Sequence, residues 1–130
     1  MVQEIRRILI ADDEEAIRFS YQRLLRGTRV EVDTCANLET AIALIEANNY
    51  SAVISDVRFS PSDEGEELEI LRQVRKHRPA TPVILMTEFG NDEVKEKALA
   101  LGAAAFLDKP VPAAILFARL KEQGIPVGEA

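Results

Sequence analysis

The sequence has a single cysteine and no long uninterrupted run of apolar residues. One thiol, that of Cys35, cannot form an internal disulfide or a cysteine-based metal centre, which favours a reducing compartment. A membrane-spanning helix needs about 18 consecutive apolar residues, and no segment approaches that length. The N-terminal residues lead straight into a strand-like run, without the apolar stretch of a signal peptide. These absences predict a cytoplasmic protein with no membrane insertion.

Basic residues are outnumbered by acidic ones. The chain has 16 Lys and Arg against 22 Asp and Glu, which gives a formal net charge of −6. Contact with nucleic-acid phosphates needs a basic surface, so we expect no direct binding of nucleic acid. Any effect on DNA would have to come from another domain or another protein.

The apolar residues predict one α/β domain. With 130 residues, 47% of them hydrophobic, the chain is large enough to bury a core of its own. Five short apolar runs are each followed by a segment of helical periodicity, a pattern typical of a parallel sheet with helices on both faces. The runs at 8–11, 52–55 and 83–86 are continuously apolar, as in central strands, whereas Glu31 and Asp33 interrupt the second run. The second strand is therefore expected at an edge, compatible with strand order 2-1-3-4-5.

Local signals predict how the helices pack and where they end. In the first predicted helix, Ile17, Tyr21 and Leu24 are spaced to form a buried stripe. Four residues fit helix boundaries, two as left-handed glycines after a helix and two as N-caps: Gly27, Gly102, Asn37 and Asn91. Helical character ends after residue 123, so we expect a domain over 1–123 and a tail or the start of a linker over 124–130.

Charged and hydroxyl side chains follow the predicted strands at the points where those strands end. The first strand leads into Asp12 and Asp13, the third into Asp56, the fourth into Thr87 and the fifth into Lys109. In open parallel sheets, ligands bind at the carboxyl ends of the strands, so these side chains are expected to converge. Carboxylates beside an ammonium and a hydroxyl predict chemistry that involves a metal ion and a phosphoryl group.

Each of these residues alone also has an ordinary structural interpretation. The acidic pair could belong to the first turn of a helix, Asp56 could be a turn residue and Thr87 a helix cap. Only their joint arrangement favours a site. For His77 and Cys35 the structural interpretation prevails: His77 lies in a basic helix end, and Cys35 is expected to be a small apolar core residue.

Over about residues 5–122 the chain resembles the receiver domain of two-component response regulators. The resemblance rests on the acidic pair after the first strand, on Asp56, on Thr87 and on the run from Gly102 to Pro110. It implies a flavodoxin-like, doubly wound five-stranded sheet with five helices, and a cis peptide bond before Pro110. It also implies a signalling domain that is no independent enzyme and only assists its own phosphorylation and dephosphorylation.

The resemblance implies a role for each site residue. Asp56 would accept a phosphoryl group from a histidine kinase or a phosphotransfer protein. Mg²⁺ would be held by four groups: the carboxylates of Asp12, Asp13 and Asp56 and the backbone carbonyl of Arg58. Lys109 and Thr87 would contact the phosphoryl group, and Thr87 would form a switch pair with Phe106. The switched surface would meet an output domain or target protein, or a second copy in a phosphorylation-dependent homodimer.

The chain departs from the usual receiver pattern at two places beside the predicted site. Pro61 and Gly65 each lie one residue later than usual after Asp56, so that loop is one residue longer. Glu88 follows Thr87, where a small residue is usual, and we expect it to tune access to the site together with Arg58 and Phe89. These departures keep open the alternative of a phosphorylation-independent docking module. A hydrolytic aspartyl phosphatase is disfavoured, because the chain lacks the Asp-x-Asp spacing and a cap domain.

Overall fold

The computed structural model describes residues 4–57, 68–88 and 91–128. Strands and helices alternate along these residues. The strands are β1 (Arg6–Ala11), β2 (Val30–Cys35), β3 (Ala52–Asp56), β4 (Val83–Thr87) and β5 (Ala105–Asp108). The helices are α1 (Glu15–Leu25), α2 (Leu38–Ala47), α3 (Glu69–His77), α4 (Asp92–Ala100) and α5 (Ala113–Glu122).

All five strands pair in parallel, in the order β2-β1-β3-β4-β5. The predicted fold and strand order are confirmed. The continuously apolar runs form the three central strands, and β2, which carries the acidic residues, lies at an edge. Since every strand runs in the same direction, all five carboxyl ends meet at one edge of the sheet.

Alternate residues of the central strands feed two apolar layers. On one face, Leu9, Val53 and Leu85 pack with buried side chains of α2, α3 and α4. On the other face, Ile54 and Ile84 pack with buried side chains of α1 and α5. This division follows from the two-residue period of a strand and explains why these runs are almost entirely apolar, with the buried Ser55 as the exception.

Two local predictions near the end of α1 are wrong. Leu24 was expected in the buried stripe, but its side chain is 37% exposed and Leu25 is fully buried. The inward-facing side of α1 therefore continues from Ile17 and Tyr21 to Leu25, at i, i+4 and i+8. A helix of 3.6 residues per turn permits this spacing as well as the predicted one. Gly27 does not adopt a positive φ; it forms an antiparallel bridge with Val30 instead.

The other predicted helix boundaries are confirmed. Gly102 has φ +94°, in the left-handed region. The side chain of Asn37 accepts a hydrogen bond from the Thr40 N–H at 2.8 Å, and that of Asn91 accepts one from the Val94 N–H at 2.9 Å. Both asparagines are therefore N-caps, at the starts of α2 and α4.

The outer edge of β2 is occupied by residues from the end of α1. The Gly27 N–H donates to the Val30 carbonyl at 3.0 Å, and the Val30 N–H donates back at 3.4 Å. The Gln22 side-chain amide donates to the Val32 carbonyl at 3.2 Å. The outward-pointing N–H and carbonyl of Val30 and the carbonyl of Val32 are therefore hydrogen-bonded within the chain.

The segment after α5 packs against the domain. The Ile125 N–H donates to the Leu120 carbonyl at 3.1 Å, and the side chains of Ile125 and Val127 are buried in the apolar layer under α1 and α5. The boundary after residue 123 and the tail or linker over 124–130 stay predictions. Ile125 and Val127 nevertheless pack against the domain. Among the described residues, no helix has the length and apolar character needed to cross a membrane.

The two residues given an ordinary structural interpretation occupy ordinary positions. His77 ends α3, with its Nε2 3.4 Å from a carboxylate oxygen of Glu46. Cys35 is buried at the end of β2, and its burial raises the pKa of the thiol to about 11. Neither side chain is exposed in a way that would favour reactivity.

We expect the two neighbouring leucines of α1 to differ sharply in their contribution to stability. Leu25→Ala empties a fully buried position and should lower the free energy of unfolding by about 2–5 kcal/mol. Leu24→Ala, the matched control, should cost less than about 1 kcal/mol because Leu24 is partly exposed. Denaturant unfolding of both variants measures the difference. Equal losses would contradict the packing of α1 described here.

Candidate functional site

The predicted site residues lie at the carboxyl edge of the sheet, and backbone hydrogen bonds hold their positions. The Asp12 N–H donates to the Cys35 carbonyl at 3.1 Å, just past β1. The Lys109 N–H donates to the Thr87 carbonyl at 2.8 Å, just past β5. The parallel ladder therefore continues one residue beyond the strands, and it fixes where the side chains on the first loop residues start.

Three carboxylates form a cluster at this edge. One carboxylate oxygen from each of Asp12, Asp13 and Asp56 lies within 4.8 Å of the others. Asp12 is fully buried, Asp56 is partly buried and Asp13 is exposed. Burial, and next the charge of Asp12, raise the pKa of the Asp13 carboxyl, which shows that the carboxylates repel one another. An all-oxygen set of this kind fits Mg²⁺, a hard cation that binds through one or two carboxylates.

Lys109 is the cation in direct contact with this cluster. Its Nζ donates to Asp12 Oδ2 at 2.8 Å and to Asp56 Oδ2 at 3.1 Å, and it lies 3.5 Å from Glu14 Oε1. The lysine side chain is only 5% exposed. Burial disfavours the charged ammonium, but the hydrogen bonds and charges of Asp12 and Asp56 outweigh it and raise the pKa of Lys109. The ammonium therefore stays protonated beside the carboxylates.

Thr87 and Phe106 lie on neighbouring strands and on the same face of the sheet. Thr87 ends β4 and is buried, two residues after Leu85, which is paired with Phe106 of β5. Phe106 is partly buried against the apolar layer that contains Leu85. Because side chains two residues apart on a strand share a face, the Thr87 hydroxyl and the Phe106 ring project to the same side. This placement is the one that the predicted switch pair requires.

Sequence reasoning missed two residues that contact the cluster. Glu14 was not predicted to belong to the site, yet its carboxylate lies 3.5 Å from Lys109 Nζ and its N–H donates to Asp12 Oδ1 at 2.9 Å. Arg18 donates from Nη1 to the Asp12 carbonyl at 2.9 Å. The four-residue spacing of Glu14 and Arg18, which places them on one side of a helix turn, was the available signal.

The residues predicted to tune access are described only in part. Arg58 and Phe89 lie outside the described residues, as do Pro61 and Gly65 of the lengthened loop. The Arg58 carbonyl as a metal ligand and the joint tuning of access by Arg58, Glu88 and Phe89 stay predictions. Glu88 is exposed, and a hydrogen bond with the Glu14 side chain is the main cause that raises the pKa of its carboxyl.

The cis peptide bond expected before Pro110 is present between Lys109 and Pro110. Of the predicted site residues, the structure brings Asp12, Asp56 and Lys109 into direct contact, with Asp13 beside them. Glu14 joins this group through Lys109. Chemically, the arrangement offers a carboxylate nucleophile, a cation beside it and oxygen ligands for a divalent metal.

Comparison with known proteins gives a consistent result. The sequence model of the response regulator receiver domain matches residues 8–121. The transcriptional regulatory protein TcrA of Mycobacterium tuberculosis is 34% identical over 115 residues, which cover 88% of this chain and 44% of TcrA. The regulatory protein AtoC of Escherichia coli is 34% identical over 106 residues, which cover 82% of this chain and 22% of AtoC.

Solved structures agree with the sequence comparison. A crystal structure of a CheY-like response regulator receiver domain protein from Methanospirillum hungatei superposes with a TM-score of 0.84 at 30% identity. That match covers 92% of this chain and 94% of the other. The matching region spans only about 21% to 44% of the length of the first curated relatives.

We predict that Asp13→Asn raises the melting temperature at neutral pH and low salt. The variant removes one carboxylate from a group that repels itself, an effect worth up to about 1 kcal/mol at an exposed position, or about 2–5 °C. The folded-state pKa of Asp13 is raised, so ionisation of Asp13 costs stability above that pKa. The gain should therefore shrink as the pH falls toward about 3.9, the pKa of an unperturbed Asp. Calorimetry at several pH values tests this, and a variant less stable at neutral pH would contradict it.

Proposed function

The chain belongs to the response regulator receiver family, and we propose that it is a signalling domain switched by transfer of a phosphoryl group to Asp56. The observation that carries the proposal is the contact of Lys109 with both Asp12 and Asp56 next to a three-carboxylate cluster. A nucleophilic carboxylate, a fixed cation and a set of metal ligands are the parts that phosphoryl transfer to an aspartate needs.

In the proposed reaction, Asp56 is the nucleophile. A carboxylate oxygen of Asp56 forms a bond to phosphorus while the bond from phosphorus to the donor's imidazole nitrogen breaks. The bonding pair leaves with that nitrogen, which takes up a proton from solvent, and an acyl phosphate remains on the domain. Attack of water on phosphorus would later release inorganic phosphate and restore the Asp56 carboxylate.

Charge is the main obstacle to this step, because an anionic nucleophile meets an anionic phosphoryl group. Lys109 is already beside Asp56 Oδ2 and is proposed to hold a phosphoryl oxygen. Asp12, Asp13 and Asp56 would hold Mg²⁺, with the Arg58 carbonyl as a further predicted ligand. When bound, Mg²⁺ supplies the positive charge that lets carboxylates and phosphoryl oxygens share one site.

Transmission is proposed to run through Thr87. Its hydroxyl would bond a phosphoryl oxygen, and the shift of Thr87 would free room for Phe106 to move toward the core. The face formed by α4, β5 and α5 would change shape as a result, which is an ordinary kind of two-state switch. The position of both side chains on one sheet face supports this route.

The proposed partners follow from the phosphoryl chemistry. A sensor histidine kinase or phosphotransfer protein would donate to Asp56, and an output domain or target protein would read the switched face, with homodimer formation on phosphorylation as a further proposal. The curated relatives are longer than the matched region and include one named a transcriptional regulatory protein. A role without direct nucleic-acid contact, in the cytoplasm and without independent enzymatic turnover, completes the proposal.

The alternative, a docking module that works without phosphorylation, gains no support from the described residues. Its motivation was Glu88 and the lengthened loop. The carboxylate cluster and its contact with Lys109 instead support a phosphorylated domain. We therefore propose that Arg58, Glu88 and Phe89 adjust the rate of phosphorylation and hydrolysis and do not replace them.

Incubation with acetyl phosphate and Mg²⁺ should add one phosphoryl group to the protein. Intact-mass measurement detects the addition directly. Asp56→Asn should abolish it, Asp13→Ala should weaken both Mg²⁺ affinity and phosphorylation, and Lys109→Ala should slow phosphorylation by about 100-fold or more. No mass gain in the wild-type protein, or an undiminished gain in Asp56→Asn, would refute the proposed function.

Thr87→Ala should separate phosphorylation from transmission. The variant should still bind beryllofluoride with Mg²⁺, but NMR shift changes around Phe106 and α5 should be lost. Thr34→Ala, in the edge strand away from β5, is a matched control that should behave like the wild type. Equal shift changes in wild type and Thr87→Ala would remove Thr87 from the switch.

A further inference from the structure

Glu14 and Glu88 lie above the buried contact between Lys109 and the carboxylate cluster. The Glu14 carboxylate lies 3.5 Å from Lys109 Nζ, and the side chain remains 45% exposed. Glu14 is therefore the solvent-facing member of the three carboxylates around that ammonium, since Asp12 is fully buried and Asp56 nearly so. Glu14 is thus a solvent-exposed negative charge directly beside Lys109.

Glu88 extends this negative surface to the other side of the site. Glu14 belongs to the loop after β1, and Glu88 directly follows Thr87 at the end of β4. The Glu14 carboxylate raises the pKa of Glu88, first as an acceptor for the protonated Glu88 carboxyl and then by its negative charge, so the two acidic side chains lie near each other at this edge of the sheet. The backbone of the same region is tied by the bond from the Lys109 N–H to the Thr87 carbonyl.

We infer that Glu14 and Glu88 form a specificity-determining pair that selects phosphodonors by charge. The inference rests on the proposed function and extends it. The pair disfavours small, highly anionic donors and favours a protein donor whose docking surface brings positive side chains against Glu14 and Glu88. Lys109 offsets only part of the negative charge at this edge, since it already contacts Asp12 and Asp56.

Charge selection follows from the position of the pair. A partly exposed carboxylate interacts weakly with any one ion, but a donor that reaches Asp56 also comes close to Lys109 and to the Glu14 carboxylate beside it. A protein surface that covers the pair also excludes water, which strengthens its attraction to positive groups. A small donor cannot compensate the two carboxylates in this way.

Two small phosphodonors test the inference, because they differ in charge. Near neutral pH, acetyl phosphate carries one more negative charge than phosphoramidate, whose nitrogen is protonated. Glu14→Gln and Glu88→Gln keep the side-chain size and remove one carboxylate each. Both variants should speed phosphorylation by acetyl phosphate about three- to tenfold at low salt, with a clearly smaller gain for phosphoramidate. The gain should decrease as salt is raised toward about 1 M, where the Debye length falls to about 3 Å.

Glu122→Gln is the matched control. It changes the net charge of the protein by the same amount at the far end of α5, where Glu122 pairs with Arg119. Rates should be unchanged in this variant. Because the charge of Glu14 acts on Glu88, the double variant should deviate from the product of the two single effects.

The possible outcomes separate this inference from the proposed function. If wild type and variants are phosphorylated on Asp56 but the rates with both donors stay within about twofold, the charge-selection inference is overturned and the proposed function stands. Phosphorylation rates that rise equally with both donors, or by an amount that does not depend on salt concentration, also overturn it. Such results would indicate a steric effect. If no protein in the series accepts a phosphoryl group from either donor, the proposed function fails and the inference fails with it.

Discussion

The contact of the Lys109 ammonium with Asp12 and Asp56 is the interaction on which the rest of the site depends. Asp12 is fully buried and Lys109 almost so, which means that neither charge has water to solvate it. Removing one member of a buried pair typically costs about 3–5 kcal/mol, because the other charge is left without a partner. The contact also joins the ends of β1, β3 and β5. Lys109 lies 97 positions after Asp12 and 53 positions after Asp56 in the sequence.

The same contact leaves the site with more negative than positive charge. One ammonium faces Asp12, Asp56 and Glu14, with Asp13 and Glu88 close by. A site of this kind gains stability from a divalent cation and resists an anionic substrate until that cation or a positive partner is present. In the proposed function, this electrostatic imbalance would couple three events, namely cation binding, phosphoryl transfer and partner docking.

The sheet could be predicted from sequence because its signals are local: continuous apolar runs for β1, β3 and β4, and Glu31 and Asp33 for the edge strand. The convergence of the strand-end residues then followed from parallel topology alone. Two other features, the buried face of α1 and the contact of Glu14 with Lys109, depend on tertiary packing and could not be predicted from local sequence. Leu24 and Leu25 are adjacent, and either satisfies helical spacing; the contact of Glu14 with Lys109 requires the packing of loops 95 residues apart. The burial of Ile125 and Val127 likewise follows from a tertiary contact, since the segment has no helical period.

The occupied outer edge of β2 limits how copies of this domain can assemble. A bare edge strand is a template on which a second chain can add its own strand. Here the bridge between Gly27 and Val30 and the Gln22 amide already use the outward-pointing N–H and carbonyl of Val30 and the carbonyl of Val32. Growth of the sheet from β2 into a neighbouring molecule would first have to break these bonds. The first part of β2 is therefore a poor template for a second chain, even though β2 lies at the edge of the sheet.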